Sequence, residues 1–267
     1  MSTTGLEYDG ADLGKDALLR VEDLRKEFGG IVATDATLGV ERGSLTGLIG
    51  PNGAGKSTLF NLVSGFLDPD AGRVYLDGVD VTDRRPDEIA QRGLLRTFQT
   101  PRTLEGMTVR ESLLVAPFDQ PGESILPLYF QPGSVTDTER ELLGRAQQLL
   151  EAFEIDHLAT TPSTELSGGQ SKLVELARAM MTDPYVLLLD EPVAGVNPVL
   201  EAELTDHIRR LNDRGVTFLV IEHDMDFIMD IADPIIVLNQ GRVLVEGSPE
   251  AVRTDERVLD AYLGGVS

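Results

Sequence analysis

The chain reads as an α/β fold, with a mostly parallel sheet covered by helices and a helical subdomain inserted between two halves of the core. Three observations predict it. From Val186 onward, short apolar runs alternate with amphipathic segments, the pattern of strands and helices in a parallel sheet. Upstream, the apolar run Leu45–Ile49 leads directly into a glycine-rich loop and then a helical period. Between about residues 100 and 182 the pattern turns helical throughout.

In chain order, residues 1–17 are acidic, contain glycine and lack apolar periodicity, which predicts a flexible tail ahead of a single domain over 18–264. Alternating stretches at 19–21, 37–40 and 74–76 read as short strands, the last followed by a turn at Asp77-Gly78. Residues 45–49 form a central strand. In 57–64, Leu59, Phe60 and Val63 recur at helical spacing, and the helix stops near Gly65. Helices follow at 108–116, 136–153 and 171–182, the last with Leu173, Val174, Leu176, Ala177 and Met180 on one face. Between them, Pro117, Pro121, Pro127 and Pro132 make 117–135 a loop or broken connection. Its apolar cluster at 125–130 is either a small satellite core or a partner contact. The remainder reads as strand 186–189, helix 199–214, strand 217–221 and helix 225–232. A hairpin of 235–238 with 242–246 turns across Asn239-Gln240-Gly241, and a last helix spans 249–263.

Composition excludes several classes. No stretch approaches the roughly 18–20 consecutive apolar residues of a membrane span, and the polar, acidic N-terminus is not a secretory signal. If the chain serves a membrane process, another chain supplies the membrane part. There is no cysteine, and His157, His207 and His223 are scattered, so side chains alone build no metal site; His157 and His207 read as surface residues. Magnesium held mainly by phosphates stays open. The net charge is −22, from 45 acidic and 23 basic residues, of which only Lys15, Lys26, Lys56 and Lys172 are lysine. Such a surface repels nucleic acid. It is either an acidic docking face for a basic partner or an adaptation to a salt-rich cytoplasm. The even spread of Asp and Glu favours the second, a halophilic one.

The chemistry-bearing residues fall in a fixed order. Gly50, Pro51, Asn52, Gly53, Ala54, Gly55, Lys56, Ser57 and Thr58 match the phosphate-binding P-loop pattern. Its glycines let backbone N–H groups wrap a phosphate at a helix start, Lys56 reaches the β- and γ-phosphates, and Ser57 ligates magnesium. Asp190 ends the apolar run from Val186, at the strand end where ligands bind in open α/β sheets; its carboxylate can hold the magnesium shell through water. Glu191 is the candidate general base for an attacking water. His223 lies two residues beyond strand 217–221 and can hydrogen-bond a γ-phosphate or position the water. Leu166, Ser167, Gly168, Gly169 and Gln170 spell LSGGQ shortly before Asp190.

P-loop, LSGGQ and Asp190-Glu191 together resemble the nucleotide-binding subunit of an ABC transporter over about residues 18–264. The resemblance implies a P-loop NTPase core with an N-terminal antiparallel β subdomain and the inserted helices. It implies ATP and Mg2+ as ligands and a head-to-tail dimer, with self or a paralogue. In that dimer Ser167, Gly168, Gly169 and Gln170 of one subunit face the nucleotide held by the other. Gln99, in Arg96-Thr97-Phe98-Gln99, matches the family's glutamine loop, which senses magnesium and water and links the helical subdomain to the core. Phe28 sits where the family stacks an aromatic on adenine, though it could equally be core. Asn197 departs from the Asp common at that position, which puts in doubt a role needing charge there. Phe28-Gly29-Gly30, the run from Glu191 to Pro198, Ile221-Glu222-His223-Asp224-Met225 and the ending Ala261-Tyr262-Leu263-Gly264 are similar to ATPases of branched-chain amino-acid importers. Urea and amide importers and lipopolysaccharide exporters share much of this wording. The resemblance therefore implies a peripheral ATPase on the cytoplasmic face of the cell membrane. It would work with two permease subunits and an extracytoplasmic solute-binding protein. A soluble ABC ATPase acting elsewhere, or a P-loop kinase or GTPase, is the competing class.

Overall fold

A computed structural model describes residues 17–97, 104–118 and 132–263. They form two compact units, one of 17–96, 185–194 and 208–263, the other of 97, 104–118, 132–184 and 195–207.

The first unit holds two sheets. Strands β1 (Leu19–Phe28), β2 (Ile31–Val40), β4 (Ala71–Leu76) and β5 (Val79–Asp80) make an antiparallel sheet in the order β2-β1-β4-β5. The second sheet runs β10-β9-β3-β8-β7-β6, from β3 (Leu45–Ile49), β6 (Leu94–Arg96), β7 (Val186–Asp190), β8 (Thr217–Ile221), β9 (Ile235–Asn239) and β10 (Arg242–Gly247). All its pairs are parallel except the β9–β10 hairpin. All five residues of β3, of β7 and of β8 are buried. That is what the apolar runs 186–189 and 218–221 predict for strands covered on both faces, and β3 is buried with them although it carries Thr46.

One core serves both sheets. Leu19, Val21, Leu24 and Leu38 from the antiparallel sheet join Leu48, Leu188, Leu219 and Ile236 from the parallel one, with Phe60 of α1 (Lys56–Val63) fully buried among them. Burying a Phe of this kind contributes about 1.5–3 kcal/mol. Helix α1 ends in a Schellman turn: Gly65, at φ 73°, donates to Leu62 O at 3.2 Å, and Phe66 donates to Asn61 O at 2.8 Å. Four further helices belong to this unit: α2 (Pro86–Gln91), α7 (Met225–Ile231), α8 (Pro249–Thr254) and α9 (Glu256–Leu263).

The second unit is helical: α3 (Val109–Leu114), α4 (Pro132–Ala152) and α5 (Gly168–Met180), with short 3-10 turns at Asp156–Leu158 and Ser163–Glu165. Leu113, Ala146, Leu150, Phe153, Leu173 and Ala177 are buried. Arg145 grips the end of α5, donating to both carboxylate oxygens of Asp183 and to Met180 O at 2.7 Å. Helix α6 (Pro198–Asp213) begins in this unit and ends in the first.

Several expectations need correction. The predicted last helix is two, because Asp255 takes an extended conformation and its carboxylate accepts from Arg257 N at 2.8 Å. Helix α4 starts at Pro132, within the segment read as a loop, because proline is well suited to a helix's first turn. Helix α5 starts three residues earlier than predicted, and on its buried side Met181 is buried while Met180 is only half-buried. His207 is not a surface residue. It is 6% exposed and stacks on Phe153 with ring centroids 4.7 Å apart. It stands three residues after Leu204 and four before Leu211, on the inward stripe of α6. His157 is exposed, as predicted. The tail at 1–16, Gln99 and the cluster at 125–130 lie outside the described residues. Among the described residues, no helix is long and apolar enough to cross a membrane.

Candidate functional site

Sheet order builds the site. β8 lies between β3 and β7, all three parallel, with Leu48 and Asp190 each in register with Ile221. The chain therefore leaves these strands at one edge, with the loop from Gly50, the pair Asp190-Glu191 and the pair Glu222-His223 side by side. At about 4.8 Å per strand, the outer two segments stand only about 10 Å apart.

The loop from Gly50 to Gly55 turns through left-handed or otherwise positive-φ conformations at Gly50 (154°), Gly53 (80°) and Gly55 (100°). A β-carbon at Gly55 would fall 2.3 Å from Ala33 O, so both its backbone angle and its space require glycine. Gly55 then caps α1, whose free N–H groups open into a cleft of about 230 Å3 lined by Ala33, residues 52–58, Glu191, Ile221 and His223.

Lys56 is 6% exposed, and its ammonium donates to Gly50 O at 2.6 Å and Pro51 O at 3.2 Å. Burial pulls its pKa below the usual lysine value, and the carboxylates of Glu191 and Asp190 partly restore it. Ser57 is exposed and Thr58 half-buried in the same cleft. Across it, His223 Nε2 meets Glu191 Oε1 at 3.0 Å. Glu191 holds a left-handed φ of 51°, its N–H donating to Ile221 O at 2.9 Å.

Asp190 is ion-paired. Arg96, at the end of β6, donates to its Oδ2 at 2.8 Å and to Asn61 Oδ1 at 2.6 Å, with the guanidinium 5.6 Å from the Phe60 ring centroid. Arg96 and Glu222 are charged site residues to which the sequence alone assigns no role. An acid directly after a buried strand is the signal that singles out Asp190, and it applies equally to Glu222. Arg96 carries a weaker signal, because β6 has only three residues.

Phe28 is 49% exposed at the end of β1, with Lys26 Nζ 5.8 Å from its ring centroid, so it is not a core residue. Tyr262, from the C-terminal motif, lies beside the Gly50 N–H, and burial pushes its phenol up.

The LSGGQ residues sit in the second unit, at the start of α5. Ser167 Oγ accepts from Gln170 N at 3.3 Å and Gln170 Oε1 accepts from Ser167 N at 3.0 Å, a reciprocal capping box. That box starts the helix at Gly168 despite two glycines. A β-carbon on Gly169 would meet Leu200 Cδ1 at 2.5 Å, whereas one on Gly168 would meet nothing within 4 Å. Asn197 Oδ1 accepts from Val199 N at 3.0 Å and Leu200 N at 3.1 Å. An N-cap needs only an acceptor, so Asn serves there as well as Asp.

The donor set near Lys56 is hard oxygen: the Ser57 hydroxyl and the Asp190 carboxylate. It suits magnesium shared with phosphates. Among the described residues, no group of three or more acidic or histidine side chains could hold a metal alone.

Loop and helix start are those of a P-loop cassette, with the Glu191–His223 pair facing its cleft. The family model for "ABC transporter" matches residues 33–194, and the chain belongs to that family, as one of its ATP-hydrolysing subunits. A second model, "Branched-chain amino acid ATP-binding cassette transporter", matches residues 242–266. A probable branched-chain amino acid transport ATP-binding protein of Archaeoglobus fulgidus is 43% identical over 92% of this chain and 95% of its own. The high-affinity branched-chain amino acid transport ATP-binding protein BraF of Pseudomonas aeruginosa is 40% identical over 92% and 98%. A crystal structure of the ADP conformation of an ABC-transporter cassette superposes with a TM-score of 0.80 at 40% identity, covering 93% of this chain and 99% of that one. A dimeric cassette in a post-hydrolysis state with ADP and Pi gives 0.69 at 25% identity, covering 86% and 98%.

Proposed function

We propose that this chain powers uptake of branched-chain amino acids. It binds ATP with magnesium, closes as a head-to-tail dimer with itself or a paralogue, and drives two membrane permeases served by an extracytoplasmic solute-binding protein. It acts from the cytoplasmic face of the membrane. The observation that carries the hydrolytic part is the Glu191–His223 contact at 3.0 Å across the cleft of the phosphate loop. Support for the cargo comes from the relatives' names and the C-terminal match.

In this reading, backbone N–H groups of residues 52–58 cradle the phosphates, and Lys56 exchanges its loop carbonyls for phosphate oxygens. Phe28 offers its exposed ring to the adenine. Ser57 and Asp190 would hold magnesium, and the glutamine-loop match assigns Gln99 to the same ion; bound there, it would neutralise charge developing on the phosphate oxygens. Glu191 takes the proton of the attacking water. His223 orients Glu191 and donates to the γ-phosphate. The exposed Ser167 and Gly168 meet the partner's nucleotide. Gly168 faces open space, so its small size serves no neighbour among the described residues.

Deleting the gene from its host and measuring uptake tests this reading. Loss of leucine, isoleucine and valine uptake, with urea and short amides unaffected, is expected. The reverse pattern reassigns the cargo, and unchanged uptake of all of them overturns the reading in favour of another ABC transporter, such as an exporter, or a non-transport ATPase.

A further inference from the structure

Glu222 is a buried carboxylate with no part in the chemistry above. It follows β8 directly and is 4% exposed. An ionised side chain there is costly unless its lone pairs are met. Both oxygens are met: Oε1 accepts from Val193 N–H at 3.0 Å, and Oε2 accepts from His223 N–H at 2.9 Å. Burial pushes the Glu222 carboxyl up, and the N–H groups of Val193, His223 and Asp224 pull it back.

The two donors belong to different segments. Val193 is two residues past Glu191 on the chain leaving β7, and His223 is on the chain leaving β8. One side chain therefore ties the two exits together. Two residues before the Val193 tie sits Glu191 at φ 51°, a conformation that costs a residue with a β-carbon about 1–3 kcal/mol and persists only where the surroundings over-determine it. Its own N–H is held by Ile221 O at 2.9 Å, and the chain beyond it by Glu222.

We infer that Glu222 is a positioning residue for ATP hydrolysis, holding Glu191 in its strained conformation and His223 opposite it so that the two side chains meet. The inference rests on the reading of Glu191 as the base. A carboxylate accepts at both oxygens. A glutamine in its place would turn an NH2 group toward one of the two N–H groups and lose that tie.

The test compares wild type, Glu222→Gln, Glu222→Asp and Glu191→Gln, each by steady-state ATPase, affinity for a fluorescent ATP analogue, and thermal unfolding. Glu222→Gln is expected to lower kcat about tenfold while leaving nucleotide affinity within about twofold. A purely structural role would instead move affinity and unfolding midpoint together with kcat. Should the Gln variant fold poorly, Glu222→Asp keeps the charge but is one methylene short, and is expected to lose kcat at least about fivefold at unchanged affinity. A folded variant with a smaller loss, or a loss that tracks affinity or the folded fraction, overturns the inference. Glu191→Gln separates the two levels. If it turns over like wild type, the base reading fails; if it is inactive while Glu222→Gln is normal, only the positioning role fails.

Discussion

Replacing Arg96 with methionine keeps much of the side chain's length and removes its charge. The pair it breaks is buried at both ends: Arg96 Nη2 to Asp190 Oδ2 is 2.8 Å, and each side chain is only 10% exposed. Without the guanidinium, Asp190 is left to the through-space field of Lys56, and Asn61 Oδ1 loses its 2.6 Å donor. Breaking a buried ion pair from one side costs about 3–5 kcal/mol, because the surviving charge stays buried. For a chain of this size each kcal/mol moves the midpoint by about 2–4 °C, so Arg96→Met should unfold roughly 6–20 °C earlier. Asp190→Asn in the same background removes the orphaned charge and should recover much of the loss, a coupling of about 2 kcal/mol or more. Urea unfolding of wild type, both single variants and the double variant, followed by circular dichroism, measures the cycle. A single-variant cost below about 1 kcal/mol, or simple additivity, would refute the reasoning, since those are the values of a surface pair.

Three further outcomes follow from the loops and the charge. Gly55→Ala places a β-carbon 2.3 Å from Ala33 O at φ 100°, and should cost about 3 kcal/mol and abolish binding of a fluorescent ATP analogue; Gly53→Ala, with open space at φ 80°, should cost only about 1 kcal/mol. Gly168→Ala gains helix propensity in open space, so its unfolding midpoint should stay or rise while ATP-driven association, read by light scattering, weakens at least about tenfold. With a net charge of −22, the unfolding midpoint should climb as salt goes from about 0.01 to 1 M and the Debye length falls from about 30 to 3 Å; a flat response would count against self-repulsion.

What was legible in the sequence follows from how strongly each segment is specified locally. β7 and β8 are built on the unbroken apolar runs 186–189 and 218–221, β3 is a short mostly apolar segment leading into the glycine-rich loop, and the expected spans match the structure to within a residue. β1 and β2 run to ten residues each, well beyond the short alternating stretches: in β1 a register shift near Asp23 interrupts the two-residue period, and in β2 the period continues back to Thr34 but is carried there by Thr34 and Ala36, which give little apolar signal. β6 escaped notice because three residues carry no period. The break at Asp255 and the start at Gly168 are set by side chains capping the backbone, which outweigh the propensities of their neighbours.

The site divides the same way. The phosphate loop is written contiguously, so its residues could be named in order. The Glu191–His223 pair needs β7 and β8 to be adjacent, which strand alternation implies but does not fix. Arg96 and Glu222 matter through partners 94 and 29 residues away, at Asp190 and Val193, and only the folded sheet brings those together.

The most direct measurement is sedimentation velocity of Glu191→Gln with ATP and magnesium. A variant that binds the nucleotide, fails to hydrolyse it and sediments as a dimer, alone or with its paralogue, is the expected result. A species that stays monomeric with bound ATP and every candidate partner present, or that hydrolyses ATP at the wild-type rate, would contradict the account.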